Sequence, residues 1–403
     1  MTNADIEKHI PSHILAVLDR FYGAGEDAYA VGGCIRDILL SRAIGDFDIT
    51  SSALPEKTAL LFSDKRVIET GIRHGTLTVI VETEPVEITT FRIDGDYKDS
   101  RHPEEVTFTR RIEDDLSRRD FTVNAMAFSP RKGLVDPFGG RDDLSARMIR
   151  AVGEPKKRFT EDALRIMRAF RFAATLDFEI EENTLLAAAV CKEGLKNIAR
   201  ERIGVEFIKL LLAPDPKNIL EKMRDLGILQ YVTDGYCPQS EILALLSKMP
   251  RDEGARLGLF LSGLSAQRAK EILSSLKRSG IVTKSALATI RGAERAVSDE
   301  AEARRLIGEC GIYAKNAVIA SVLLGNSPAQ AIKWVSENTA PCTLRDLAIR
   351  GRDLMDAGFE GREVGIALDA ALAAVIKDPS MNEKDKLIAY CTSRKKRTGS
   401  TAI

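Results

Sequence analysis

Two aspartates stand one residue apart in GDFDIT at 45–50, with apolar residues at 47 and 49. Side chains alternate across a strand, so Asp46 and Asp48 are expected to share one face while Phe47 and Ile49 turn to the core. Carboxylates placed in this way can converge on a divalent ion, and hard cations such as Mg2+ take oxygen ligands of this kind. Two solvated aspartates at an exposed strand end would account for the pair alone. A third acid comes from PVEITTFR at 85–92, where Val86 and Ile88 fit a buried face and leave Glu87 opposite with Thr89. If the two strands are neighbours, Asp46, Asp48 and Glu87 can surround two Mg2+ ions, with Asp46 and Asp48 as the metal ligands. That set suits in-line nucleotidyl transfer, one ion activating the attacking hydroxyl and the other holding the leaving pyrophosphate. No side-chain nucleophile is needed, in keeping with only four histidines, all within the first 102 residues.

Three further constellations surround this core. Gly32-Gly33, in YAVGGCIRDILLSR at 29–42, lies between a short β-leaning run and a helical pattern. Glycines there let a phosphate approach the backbone, and Arg36 can add charge-assisted bonds, although an isolated Gly-Gly pair is usually only a turn. In DDLSRRDFTVNAMAF at 114–128, Arg118, Arg119, Asp120 and Asn124 crowd together. They read either as surface ion pairs or as contacts of Arg119 and Asp120 to the ribose and triphosphate of a nucleotide. In RFTEDALRIMRAFRFAA at 158–174, Thr160 is the expected N-cap, with Glu161 and Asp162 in the first turn. Asp162, Arg165 and Arg168 recur at three-residue steps, with Arg171 at the edge of that face. Salt bridging along a solvated face explains the spacing. So does base recognition: an Asp acceptor beside an Arg donor complements the amine and ring nitrogen of cytosine and adenine, and mismatches uracil and guanine.

The elements that must position these groups divide the chain. DAYAV, DFDIT, TLTVIVE and VEITTFRI read as strands, and CIRDILLSR as a helix with Ile35, Ile38 and Leu39 on one side. From about residue 141 helical patterns dominate, punctuated by APDP, GYCPQS, GNSP and NTAPC. The expected fold class is α+β: an N-terminal head with a small mixed sheet (1–140), then an all-α neck (141–213), body (214–325) and tail (326–403), elongated overall. SRKKRTGSTAI at the end reads as a basic, mobile tail. With 403 residues, 59 Lys plus Arg and 59 Asp plus Glu, the formal net charge is zero. This argues against nucleic-acid binding by bulk charge but allows a local basic groove. Six scattered cysteines, no signal-like start and no apolar run near 20 residues point to a cytoplasmic protein with reduced thiols and no membrane partner. Oligomeric state is not written in the sequence.

GGCIRD with DFDIT, RHGT, VEITTFR, RRDFTVNAMA, VDPFGGRDDL and the 158–174 stretch occur in an order that resembles the class II nucleotidyltransferases: the bacterial tRNA CCA-adding enzymes and their poly(A) polymerase relatives. The resemblance covers roughly residues 28 to 175, with weaker echoes in ERIGVEFIKLLL and near the C-terminus. It implies Mg2+ on Asp46 and Asp48, Glu87 as third carboxylate, and a triphosphate grip by Gly32, Gly33 and Arg36. It also implies nucleotide contacts from Arg119, Asp120 and Asn124, and base templating by Asp162 and Arg165, supported by Arg168 and Arg171. The implied substrates are CTP, ATP and tRNA held by its acceptor arm and elbow, with EPKKRF and SRKKR as candidate contacts. FRIDGDYKDSRHPEEVTF at 91–108 resembles the flexible loop of the CCA-adding branch and favours full CCA addition. Poly(A) polymerase, a CC- or A-only enzyme, and an inactive RNA-binding protein on the same scaffold are the other readings. Ser41 departs from the glycine that the family often has after LL, and no C-terminal His-Asp phosphohydrolase domain follows.

Overall fold

The structure, a computed structural model, describes residues 1–95 and 106–399. It forms two compact units, Met1–Cys237 and Pro238–Ile403. Their division falls inside the stretch expected as a body, and the finer boundaries at 140, 213 and 325 remain a proposal about subdomains. Most of the 91–108 loop lies outside the described residues.

The first unit is built on a seven-stranded mixed sheet. Its strands are β1 (Ala28–Val31), β2 (Asp48–Ser51), β3 (Arg66–Gly71), β4 (Thr76–Val81) and β5 (Glu84–Thr90), then, past the short β6–β7 ladder (Arg92–Asp94 with Val106–Phe108), β8 (Ala127–Ser129) and β9 (Gly133–Val135). The spatial order is β3-β4-β5-β2-β1-β8-β9. Period-two patterning explains the outer hairpin: in TLTVIV the residues Leu77, Val79 and Val81 are buried and their neighbours half-buried. Central β1 is buried at all four positions, as a strand with partners on both sides requires. β2 runs parallel to β5, with Ile49 opposite Ile88, and antiparallel to β1, with Asp48 opposite Val31. Those registers bring the expected acidic strand beside both the glycine turn and Glu87.

Two local expectations are corrected. β2 begins only at Asp48, so Asp46 precedes the strand, and Phe47 is half-buried rather than a core residue. The 158–174 stretch is two helices, Pro155–Glu161 and Leu164–Leu176, broken by the extended Asp162 (φ −142°, ψ 105°). Thr160 lies inside the first helix and donates to the Lys156 carbonyl (2.9 Å) instead of capping. The cause is Asp162 itself: its Oδ1 accepts from the Leu164 amide (2.9 Å), a local bond that outcompetes helix continuation.

The second unit is helical among its described residues. Side chains of Asp252, Ser265, Ser279 and Asp299 accept from the amide three residues on and start four of its helices. Gly292 lets Gly280–Ala293 meet Ala314–Leu323, because a Cβ there would lie 2.1 Å from the Ala317 carbonyl. By length and composition Glu300–Leu323 could cross a membrane, although charged residues such as Arg304, Arg305 and Lys315 leave it no continuous apolar run near 20 residues. Ala303, Leu306, Ala317 and Val318 are buried in a core cluster, which accounts for that composition. The C-terminal helix Lys384–Gly399 runs through SRKKR, so that segment is ordered rather than a loose tail.

Candidate active site

β1 ends where Gly32 turns the chain at φ +83°, ψ −127°, a conformation open to glycine. A Cβ there would also lie 2.9 Å from Arg119 Nη1, so this turn sits directly against a guanidinium. The helix Gly33–Leu39 follows with Ile35 and Ile38 buried and Leu39 half-buried. Its Arg36 is 9% exposed and already held: Nε and Nη2 donate to Asp37 (3.0 and 2.9 Å) and Nη1 to Asn124 Oδ1 (2.6 Å). The helix ends through Ser41 at φ +52°, the left-handed region in which a glycine is favoured.

Asp48 opens the next strand beside that turn. Its carboxyl reaches solvent, yet the protein packed around it pushes its pKa above the usual carboxylate value, and the charges of Glu87 and Asp46 push it further. The Arg119 guanidinium opposes them. Val86 and Ile88 are buried and Glu87 faces solvent, as its pattern requires. Asp48 therefore shares one electrostatic neighbourhood with Asp46, Glu87 and the Arg119 guanidinium. Carboxylate oxygens clustered in this way fit a hard divalent cation. They are not a finished cage: among the described residues no group of three or more His, Cys, Asp or Glu is arranged to hold a metal.

The RRDFT segment is pinned from beneath. Asp115, fully buried, binds Arg118 (2.9 Å) and Arg119 (3.6 Å) and accepts from Thr50 Oγ1 (3.3 Å). Burial works to raise its pKa, but the two arginines hold it below the usual value. Arg119 Nε is buried and has no hydrogen-bond partner among the described residues. Asp120 and Asn124 are buried and bonded to neighbouring groups. Asp120 accepts from Arg168 (2.6 and 2.7 Å), from the Phe121 amide (2.9 Å) and from Asn124 Nδ2 (3.1 Å). Burial opposes its ionisation, yet Arg168 and Asn124 bring its pKa down to about 2. Arg168 and Arg171 in turn reach Glu206 (3.9 and 2.8 Å). A relay thus runs Arg36–Asn124–Asp120–Arg168–Glu206–Arg171.

The expected Asp162–Arg165 pair is not formed. Asp162 Oδ2 accepts from Arg202 (2.9 Å), while Arg165, 9% exposed, donates to Glu161 (2.9 Å) and the Arg118 carbonyl (3.1 Å). The Asp162 and Arg165 side chains thus bond to different partners, while the Asp162 charge still acts on Arg168 of the same stretch. Glu161 also pairs with Arg158, and this cluster borders a cavity of about 720 Å³ whose basic lining includes Arg118, Lys156 and Lys157. The sequence reading missed Asp115, Glu161 and Glu206. Two of them carried a local signal: Asp115 lies three and four residues before Arg118 and Arg119, and Glu161 four before Arg165.

Residues 28–150 match the "Poly A polymerase head domain" family, and residues 177–238 match "Probable RNA and SrmB- binding site of polymerase A". The chain is 36% identical over 393 residues to a CCA-adding enzyme of Streptococcus gordonii, covering 94% of this chain and 97% of that one. It belongs to the CCA-adding enzyme family. A CCA-adding enzyme of Pediococcus pentosaceus is 37% identical over 381 residues, with 93% and 95% covered. Among solved structures, the Bacillus stearothermophilus CCA-adding enzyme in complex with CTP superposes with a TM-score of 0.80 at 30% identity, covering 98% of this chain and 100% of that one. As a CCA-adding family member the protein is a nucleotidyltransferase with an N-terminal head and a helical body, and this family is divalent-metal dependent.

Proposed function

We propose that this chain completes tRNA 3′ ends by adding C, C and A without a nucleic-acid template, using CTP and ATP and releasing pyrophosphate. The observation that carries the reading is the meeting of Asp48, Glu87 and Arg119 beside the Gly32 turn, in a chain aligned over 94% of its length with a CCA-adding enzyme. In each transfer the tRNA 3′-oxygen bonds to the α-phosphorus and the bond to the β-phosphate oxygen breaks. Mg2+ held by Asp46 and Asp48, with Glu87, would lower the pKa of the 3′-hydroxyl and neutralise phosphate charge. Gly32 and Gly33 let the triphosphate approach the backbone, while Arg36 and Arg119 donate to it. Asp120 and Asn124 act through Arg168 and Arg36, whose positions they hold. Asp162 and Arg165 read the base edge from adjoining positions at the helix break, with Arg168 and Arg171 behind them. Residues 1–140 form the catalytic head and 141–213 the base-reading neck, with tRNA gripped by the body and tail. Six free cysteines support a reducing, cytoplasmic setting.

The head's match to a poly(A) polymerase family favours one rival activity. Incubation with Mg2+, a tRNA transcript lacking CCA, and each nucleotide alone and combined separates the two. Two C additions followed by one A are expected. A long A ladder on unrelated RNA would replace this reading with poly(A) synthesis, and CC or A alone would mark a partial enzyme.

A further inference from the structure

Phe172 lies 5% exposed in the helix Leu164–Leu176, one residue past Arg171 and four past Arg168. Three guanidinium groups gather on its ring. Arg171 Cζ stands 3.4 Å from the centroid, Arg36 Cζ 5.1 Å and Arg168 Cζ 5.3 Å. Phe121 of the RRDFT segment meets the same ring edge-on, at 5.8 Å and 78°. Each arginine has an anion on another side: Asp37 for Arg36, Asp120 and Glu206 for Arg168, Glu206 for Arg171. Three like charges around one aromatic repel one another, and their bonds to the acids and Asn124 hold only the edges of the guanidinium groups. The ring supplies what the acids do not, a flat, electron-rich face that fixes the arginine planes.

We propose that Phe172 is a positioning residue for nucleotide binding, a platform that holds Arg36 at a set spacing from Arg168 and Arg171. Arg36 comes from the glycine turn and the other two from the neck helix, so this one ring registers the triphosphate grip against the base-reading face. The inference rests on the proposed nucleotide roles of these arginines. A leucine at 172 keeps much of the apolar volume and removes the aromatic face, while a tyrosine keeps the face.

The test is steady-state CCA addition by full-length Phe172→Leu, Phe172→Tyr, Arg36→Lys and the Phe172→Leu/Arg36→Lys double variant, with thermal unfolding of each. Phe172→Leu is expected to raise the KM for both CTP and ATP about tenfold with kcat within about twofold, since each lost stacking contact weakens binding a few-fold. Phe172→Tyr should return KM to near the wild-type value. The double variant should be less impaired than the product of the single effects. A plain packing role would lower the unfolding temperature and the active fraction without moving KM, and that result overturns the proposal. If Arg36→Ala, Arg168→Ala and Arg171→Ala all leave KM unchanged, the nucleotide reading fails and takes the platform with it. If they raise KM while Phe172→Leu does not, the platform alone is wrong.

Discussion

Removing the charge of Asp120 should loosen the joint between the RRDFT segment and the neck helix by a predictable amount. Its pKa is drawn from the ordinary 3.8 to about 2, chiefly by Arg168 working against burial. At about 1.4 kcal/mol per pH unit that displacement is worth roughly 2 kcal/mol at neutral pH. The group's folded pKa is depressed, so this stability is fully present above pH 4 and is lost as pH falls through about 2. Truncation costs more than the linkage figure, because Arg168, a third exposed, would lose its nearest anion and keep Glu206 at 3.9 Å and the Phe172 ring. Breaking one partner of a buried pair typically costs about 3–5 kcal/mol. Urea unfolding at pH 7 should therefore show Asp120→Ala destabilised by about 3 kcal/mol and Arg168→Met by a similar amount. The Asp120→Ala/Arg168→Met double variant should lose much less than the sum. Asp120→Asn should also flatten the acid limb of the stability curve between pH 4 and 2. A coupling energy below about 0.5 kcal/mol, the additivity expected of independent sites, would refute the argument.

Other substitutions probe separate features. Ser41→Gly should raise stability by about 0.5–1 kcal/mol, because a serine at φ +52° bears a left-handed penalty that glycine escapes; an unchanged or lower melting temperature would contradict it. Asp115→Ala strips both Arg118 and Arg119 of a fully buried partner and should cost about 3–5 kcal/mol in denaturant unfolding. Asp162→Ala should lower discrimination of CTP and ATP against UTP by about tenfold or more in competition assays, the loss of one base-edge contact; an equally selective variant would end the base-reading argument.

Much of the sheet is legible from residue type. TLTVIVE and VEITTFRI alternate cleanly, and the alternation alone puts Glu87 on the open face. The glycine turn is legible too, because Gly32-Gly33 stands between a strand pattern and a helical one, whereas its closeness to Arg119 comes only with folding. What pairs with what was less legible. The parallel contact of β2 with β5 joins strands 39 residues apart at Ile49 and Ile88, a pairing that short-range pattern does not encode. Asp120 reads as a ligand contact from its motif, but its partner Arg168 lies 48 residues away. The break at Asp162 hides for a different reason. TEDALRIM is rich in helix formers after its Thr and Asp, and the side-chain bond to the Leu164 amide and the reach of Arg202 turn it aside at Asp162. Phe172 is invisible for the same cause as Glu206: its partners come from three segments that meet only on folding.

The central claim is that the acids beside the Gly32 turn carry the transfer chemistry. Asp48→Asn removes one charge and keeps the shape, and it relieves repulsion with Asp46 and Glu87, so the fold should be kept. The deciding measurement is single-turnover addition of CMP to a tRNA transcript lacking CCA, made beside tRNA binding by the same variant. The account predicts transfer lost by at least about a thousandfold, the order of one strong electrostatic contact to the reacting groups, with tRNA affinity within about threefold of wild type. Near-normal transfer by Asp48→Asn would contradict it.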